Sequence, residues 1–291
     1  MMKLLTGLVV AGATFAPSAA LAQSGKPTIV LVHGAFADAS SWNGVIKVLE
    51  KNGYPVMAAA NPLRGIKSDG EYVAGIVSSI KTPVVLVGHS YGGSVINEAA
   101  NGNANVKALV FVAAFAPDAG ETATGLSDKF PGSTLGSTLA PPVSLSGGGK
   151  DLYIQQDKFH KQFAADVSKA EATLMAATQR PITEAALGEK SASAAWKKIP
   201  AWFVYGDNDK NIPPQVLAFM AERAQSKQTV VVKGGSHVVM VSNPGPVAKL
   251  IERAATSQAP KRQGLAPSGQ QHQSATTSGQ GIGPIPVGQK K

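Results

Sequence analysis

Hydrophobic residues fall along this chain in two alternating patterns. Short continuous apolar runs rich in Val and Ile are followed by stretches whose apolar positions recur three and four residues apart. The first kind reads as a strand buried on both faces, the second as an amphipathic helix. Pro27–Val32 is such a run, and Ser41–Asn52 follows as a helix with Trp42, Val45, Ile46 and Leu49 on one face. Pro55–Ala59 is a weaker strand, and Gly70–Ile80 is a helix striped by Val73, Ile76, Val77 and Ile80. Strand Pro83–Val87, helix 92–101 and strand Lys107–Ala114 continue the rhythm. After an irregular middle come strands Ala201–Tyr205 and Thr229–Val232, helix Pro214–Ala224 between them, and a last helix Pro246–Ala254. The alternation predicts an α/β fold: a mostly parallel six-stranded sheet with helices on both faces, binding its ligand at the carboxyl ends of the strands.

The stretch from Pro117 to Lys198 breaks this rhythm. Pro141-Pro142 and the glycines 147–149 precede helices expected near 152–167 and 169–178, so we read an inserted helical cap lying over the strand ends. Its apolar residues, Leu139, Phe159, Phe163, Leu174 and Met175 among them, serve equally to wall an acyl or alcohol pocket or to pack the cap itself.

Both ends of the chain differ from this domain, which we place at 23–255. Met1-Met2-Lys3, the apolar run Leu4–Phe15 and the small-x-small site Ala20-Leu21-Ala22 read as a secretory signal peptide, residues 1–22. The run is too short to span about 30 Å of hydrocarbon, so no integral membrane span is expected, and the mature protein should be periplasmic or secreted. Residues 256–291 hold no acidic and no aromatic residue and are expected to be a disordered basic tail.

Charge matters only once it is located. The chain carries 27 Lys and Arg against 18 Asp and Glu, a formal +9, but Lys3, Lys261, Arg262, Lys290 and Lys291 lie in the two end segments. The remaining 22 against 18 is ordinary for a soluble domain, and with no aromatic residues among the tail's basic ones no nucleic-acid partner is implied. Between contact with an anionic envelope and a solvated extension, the tail reads more simply as a solvated extension. No pattern specifies an oligomer. There is no Cys, no His-Glu-x-x-His pair and no phosphate loop, since Gly149-Lys150 is followed by Asp151, so no metal and no cofactor is expected.

Chemistry concentrates just past the strand ends. Gly88-His89-Ser90-Tyr91-Gly92 follows a buried strand and opens a helix. The bare Gly-x-Ser-x-Gly pattern is weak in a chain with 31 Gly, but between strand and helix it describes a sharp turn that exposes the Ser90 hydroxyl and sets the Tyr91 N–H at a helix amino end. A bland role for Ser90 is to cap that helix. A nucleophilic serine needs a base, and His237 in Gly234-Gly-Ser-His237 follows the last strand. His89 is expected to pack, His33 to brace the first loop, and His160 to lie on the cap's surface or pocket wall. For the acid, Tyr205-Gly-Asp207-Asn-Asp209 offers Asp209, with Asp207 as a turn former, and Asp118 is an alternative.

Ser90, Asp209 and His237 occur in the order of an α/β-hydrolase triad. Val30-Leu-Val-His33-Gly34-Ala35-Phe36, Gly88-His-Ser-Tyr-Gly-Gly93, Gly206-x-x-Asp209-x-x-Ile212-Pro213 and Gly235-Ser-His237 resemble the motifs of the α/β-hydrolase superfamily over roughly 27–255. Within it the pattern is similar to the small serine esterases that group with plant methyl-ester esterases and hydroxynitrile lyases. The resemblance implies that the Ala35 backbone N–H is the second oxyanion donor beside Tyr91. It implies hydrolysis of a small-molecule ester, or, on the same triad, of a lactone, thioester or amide, or cofactor-free perhydrolysis. A receptor that binds without catalysis is the other class of reading. Two departures count against lyase chemistry: plant lyases of this branch put Lys after the catalytic His and Thr after the oxyanion-loop His, where this chain has Val238 and Gly34. No antiparallel strand pair is recognisable before Pro27, consistent with a compact six-stranded sheet.

Overall fold

A computed structural model describes residues 25–257. The leader expected at 1–22 and the tail from Gln258 onward lie outside the described residues. The chain opens with β1 (Thr28–Val32), a 3-10 turn at Ala39–Trp42, α1 (Asn43–Lys51), β2 (Val56–Ala59) and α2 (Ile66–Ser79). Next come β3 (Val84–His89), α3 (Tyr91–Ala99) and β4 (Val106–Val112). The middle holds α4 (Ala123–Ser127), β5 (Val143–Ser144), β6 (Lys150–Leu152), α5 (Gln156–Phe163), α6 (Lys169–Thr178), β7 (Ile182–Thr183) and α7 (Glu184–Gly188). The chain then returns through β8 (Ala201–Gly206), α8 (Pro214–Arg223), β9 (Thr229–Val232), α9 (Val239–Ser242) and α10 (Pro244–Thr256).

Six of these strands form the parallel sheet that the alternating pattern predicts, in the order β2-β1-β3-β4-β8-β9. Burial follows position in that order. The inner strands β1, β3 and β8 are buried at every residue, whereas the edge strands β2 and β9 expose Met57 and Val231. An inner strand has helices over both faces and an edge strand only partial cover, which is why the inner runs are continuously apolar and the edges are not. Helix α1 packs on α10 and α2 on α3, giving helical layers with the sheet between them.

From β1 the chain goes to one edge as β2 and returns on the other side of β1 as β3. This reversal opens a crevice beyond the carboxyl ends of β1 and β3, the place where open α/β sheets bind ligands. The register pairs Val32 with Gly88, so the segments starting at His33 and His89 leave the sheet side by side.

Several boundaries differ from expectation. Helix α2 starts at Ile66 rather than Gly70, because its start is satisfied by two carboxylates: Glu189, from outside the helix, accepts the N–H groups of Ile66 and Lys67, and Asp69, in its first turn, accepts those of Arg64 and Gly65. The helix expected from 152 starts at Gln156, since Lys150–Leu152 instead pair as a strand between Val143–Ser144 and Ile182–Thr183. That three-stranded antiparallel sheet has strands too short to show a period of two in the sequence. Among the described residues no helix is long and apolar enough to cross a membrane.

The core centres on β4 and β8, where the rings of Phe111 and Phe203 stack at 4.7 Å with both residues at most 1% exposed. Phe111→Ala is expected to lower the unfolding free energy by about 3–5 kcal/mol, read from urea denaturation followed by tryptophan fluorescence.

Candidate active site

A single residue, Ser90, makes the turn from β3 into α3, with φ 54° and ψ −125°. A side-chain-bearing residue with positive φ is strained and persists only where its surroundings hold it. Here the Ser90 N–H donates to the Val112 carbonyl (3.2 Å), and the Ser90 carbonyl accepts the N–H groups of Gly93 (2.9 Å) and Phe115 (3.1 Å). The turn also needs bare backbone around it. A Cβ on Gly88 would lie 2.5 Å from the Gly92 carbonyl oxygen, one on Gly92 2.5 Å from that of Val32, and one on Gly93 2.2 Å from that of Phe115. Ser90 stands at the cap position of α3, yet its side chain makes no capping hydrogen bond, so the bland role does not account for it.

His237 follows β9 and is 1% exposed. Its Nδ1 lies 2.7 Å from Oδ2 of Asp209, a buried pair. With Nδ1 donating to the carboxylate, Nε2 carries the lone pair that can take a proton. The other Asp209 oxygen, Oδ1, accepts the N–H groups of Asn211 (2.8 Å) and Ile212 (3.0 Å), which fixes the carboxylate. Asp207 ties the neighbouring loop by accepting the Gly234 N–H at 2.6 Å. Asp118, the alternative acid, pairs with Lys197 at 2.6 Å instead and is not brought to His237.

Ser90, His237, Ala35 and Tyr91 line one cavity of about 220 Å³, walled on its apolar side by Phe115, Leu139 and Phe163. Ser90 and His237 share it without a hydrogen bond between them. Ala35 and Tyr91 are buried, and neither backbone N–H has a hydrogen-bond acceptor among the described residues. Buried N–H groups are seldom left unpaired, and both residues line this cavity. Gly34 lets the first loop come this close: a Cβ there would be 2.6 Å from Ser90 Cβ.

Of the cap residues expected to wall the pocket, Leu139 and Phe163 reach this cavity. Leu174 and Met175 line a separate groove of about 540 Å³ against α1, while Phe159 is buried in the cap's own packing.

The other histidines among the described residues have structural partners. His160 Nε2 bonds the Val167 carbonyl at 2.9 Å within the cap, and His33 Nδ1 bonds the Gly34 carbonyl at 3.0 Å. His89 does more than pack: its Nε2 donates to the backbone carbonyl of His237 at 3.1 Å, holding the loop that carries the base. The sequence gives no hint of this, because the two residues are 148 positions apart. The Tyr91 hydroxyl donates to Asp69 at 3.0 Å and so anchors the residue after Ser90; burial pushes the pKa of both Tyr91 and Asp69 up.

Comparison with known proteins gives the family of the fold. Residues 29–250 match the model of the alpha/beta hydrolase family, and the chain belongs to that family. It is similar to the alpha-hydroxynitrile lyase of Arabidopsis thaliana, 27% identical over 253 residues covering 79% of this chain and 98% of the relative. Methylesterase 8 of the same plant is 24% identical over 243 residues, covering 75% and 86% of the two chains. Among solved structures, polyneuridine aldehyde esterase superposes with a TM-score of 0.68 at 20% identity, over 78% of this chain and 98% of that one, a likeness of fold.

Burial lowers the His33 pKa from 6.5 to about 4 and holds that of His89 well below its usual value. Between about pH 6.5 and 4 the unfolded chain therefore binds a proton at His33 that the folded protein does not, so stability falls as the pH drops through that window. From pH 7 to pH 5 His33 alone should remove about 2 kcal/mol. Urea denaturation at both pH values, on the protein and on His33→Gln, checks this; an equal loss in the variant would assign the effect elsewhere.

Proposed function

We propose that this protein is a serine hydrolase that cleaves carboxylic esters of small or medium apolar substrates through an acyl-enzyme. The observation that carries the reading is that His237, paired with the buried Asp209, lines one cavity with a strained, uncapped Ser90 and with Ala35 and Tyr91, whose backbone N–H groups are unpaired among the described residues.

In this mechanism Ser90 Oγ attacks the ester carbonyl carbon while His237 Nε2 takes the hydroxyl proton. Asp209 holds the imidazolium that forms, and the Ala35 and Tyr91 N–H groups receive the oxyanion. Collapse expels the alcohol, which takes the proton from His237, and leaves Ser90 acylated. Water, deprotonated by the same Nε2, then releases the acid and restores the hydroxyl. The amino end of α3 adds a favourable field where negative charge grows.

One relative is named a hydroxynitrile lyase, but this chain's residues favour hydrolysis. The lysine that the resembling lyases place after the base is here Val238, fully buried. Their threonine after the oxyanion-loop histidine is here Gly34, where any Cβ would crowd Ser90 Cβ at 2.6 Å and the His89 carbonyl oxygen at 2.7 Å. The kinship to Methylesterase 8 fits the ester reading. Export follows from the leader-like start alone and belongs to the same proposal.

The test is hydrolysis of p-nitrophenyl esters from acetate to decanoate by the mature protein. Ser90→Ala and His237→Ala should each lower kcat by on the order of 10⁴ or more, since triad members act as a unit. Asp209→Asn should lower it by about 10⁴ through loss of the tautomer that leaves Nε2 free. A folded wild type that neither turns over these esters nor is labelled at Ser90 by a phosphonate would overturn the reading.

A further inference from the structure

We infer that Asn211 reads a second, uncharged oxygen on the substrate, so that the esters this site takes carry a carbonyl, ether or hydroxyl oxygen away from the bond that is cut; the inference rests on the ester-hydrolase reading of the same cavity. Asn211 is 3% exposed and lines the cavity with Ser90 and His237. Its Oδ1 accepts Nε2 of Gln162 at 2.7 Å, while its Nδ2 is buried and has no hydrogen-bond partner among the described residues.

The orientation of this amide is dictated by its neighbours. Gln162 Nε2 also donates to the Lys210 carbonyl at 3.0 Å, and Gln162 Oε1 accepts the Thr134 hydroxyl at 2.8 Å. A carbonyl only accepts, so the Gln162 atom facing Lys210 is the nitrogen; the Asn211 atom facing that nitrogen must then be the oxygen. Turning Asn211 over would set two NH₂ groups against each other. Both donors of Nδ2 are therefore left for something that is not part of the network, and a buried side-chain donor is rarely left unpaired.

The surroundings describe what that partner is. Phe115, Leu135, Leu139 and Phe163 make the nearby wall apolar, and among the described residues no Lys or Arg lines the cavity. Asp128 adds a carboxylate at its exposed rim, which disfavours an anionic ligand. An uncharged acceptor set in a hydrocarbon frame fits both conditions. Asn211 is thus a specificity residue, distinct from the triad two positions before it.

The test compares shape-matched esters that differ only in the oxygen: p-nitrophenyl 4-oxopentanoate against 4-methylpentanoate, 5-oxohexanoate against 5-methylhexanoate, and 6-oxoheptanoate against 6-methylheptanoate. In at least one pair the wild type should prefer the oxo ester by roughly tenfold in kcat/KM. Asn211→Leu and the isosteric Asn211→Asp, which still accepts from Gln162 but presents no donor, should bring that ratio to about one or below. Using a ratio within each variant cancels any effect on the triad. Ratios that are the same in the wild type and both variants would overturn the inference. A second arm needs no turnover: Ser90→Ala protein, with and without Asn211→Leu, is titrated by NMR with 2-heptanone and with 2-methyl-1-heptene. Tighter ketone binding that the Asn211 change abolishes supports the inference, and equal affinities overturn it. If no ester is cleaved and Ser90 resists a phosphonate, the hydrolase reading fails and the titration still decides Asn211.

Discussion

The site depends on how closely helix α3 approaches strands β1 and β3. At Gly88, Gly92 and Gly93 there is no room for even a methyl group, and the neighbours that would be struck are backbone oxygens, which side-chain rotation cannot move aside. That contact leaves one residue to reverse the chain, and the residue must take a left-handed conformation that a serine tolerates only under restraint. The restraint is supplied by backbone hydrogen bonds to β4 and the segment after it, so the sheet's ladder and the nucleophile's posture are one network. The Tyr91 side chain extends it to the start of α2 through Asp69.

Electrostatics around the imidazole follow the same economy. Asp209 has each oxygen committed, one to backbone N–H groups and one to His237, so the buried carboxylate has no freedom to turn away. His89 lies beside His237 with ring centroids 4.8 Å apart and the rings tilted by 54°, and burial keeps it neutral. A charged ring there would repel the imidazolium that forms during turnover; a neutral one serves as a brace that leaves the base's charge unopposed.

The sheet and the residues of the candidate site were legible because they follow from local rules. Inner strands announce themselves as unbroken apolar runs, and a serine between two glycines after such a run describes the turn at Ser90. Asp209 and His237 are readable from their places after the last two strands. The three-stranded sheet of the middle segment was not legible, since strands of two or three residues have no period to detect. The early start of α2 depends on Glu189, more than a hundred residues away, and the amide of Asn211 gains meaning only from Gln162, 49 positions before it. Contacts that join distant segments through single polar groups leave no periodic trace.

The middle segment is fastened to the sheet domain in its interior and again at its return. Arg64 bridges to Asp151 at 2.7 Å and donates to the Pro181 carbonyl, while Glu189 caps α2. On the return, Glu98 of α3 accepts the N–H groups of Ala192 and Ser193 together with the Ser191 hydroxyl, and Asn97 binds the Ser193 carbonyl and the Ala195 N–H. The roof of the cavity and the helix behind the nucleophile are thus riveted together. An engineer who wished to transplant another cap onto this scaffold could not cut at the two junctions alone: the graft would have to bring its own carboxylate for the head of α2 and its own turn for Glu98. Without them, a change of roof becomes a change in the footing of Ser90.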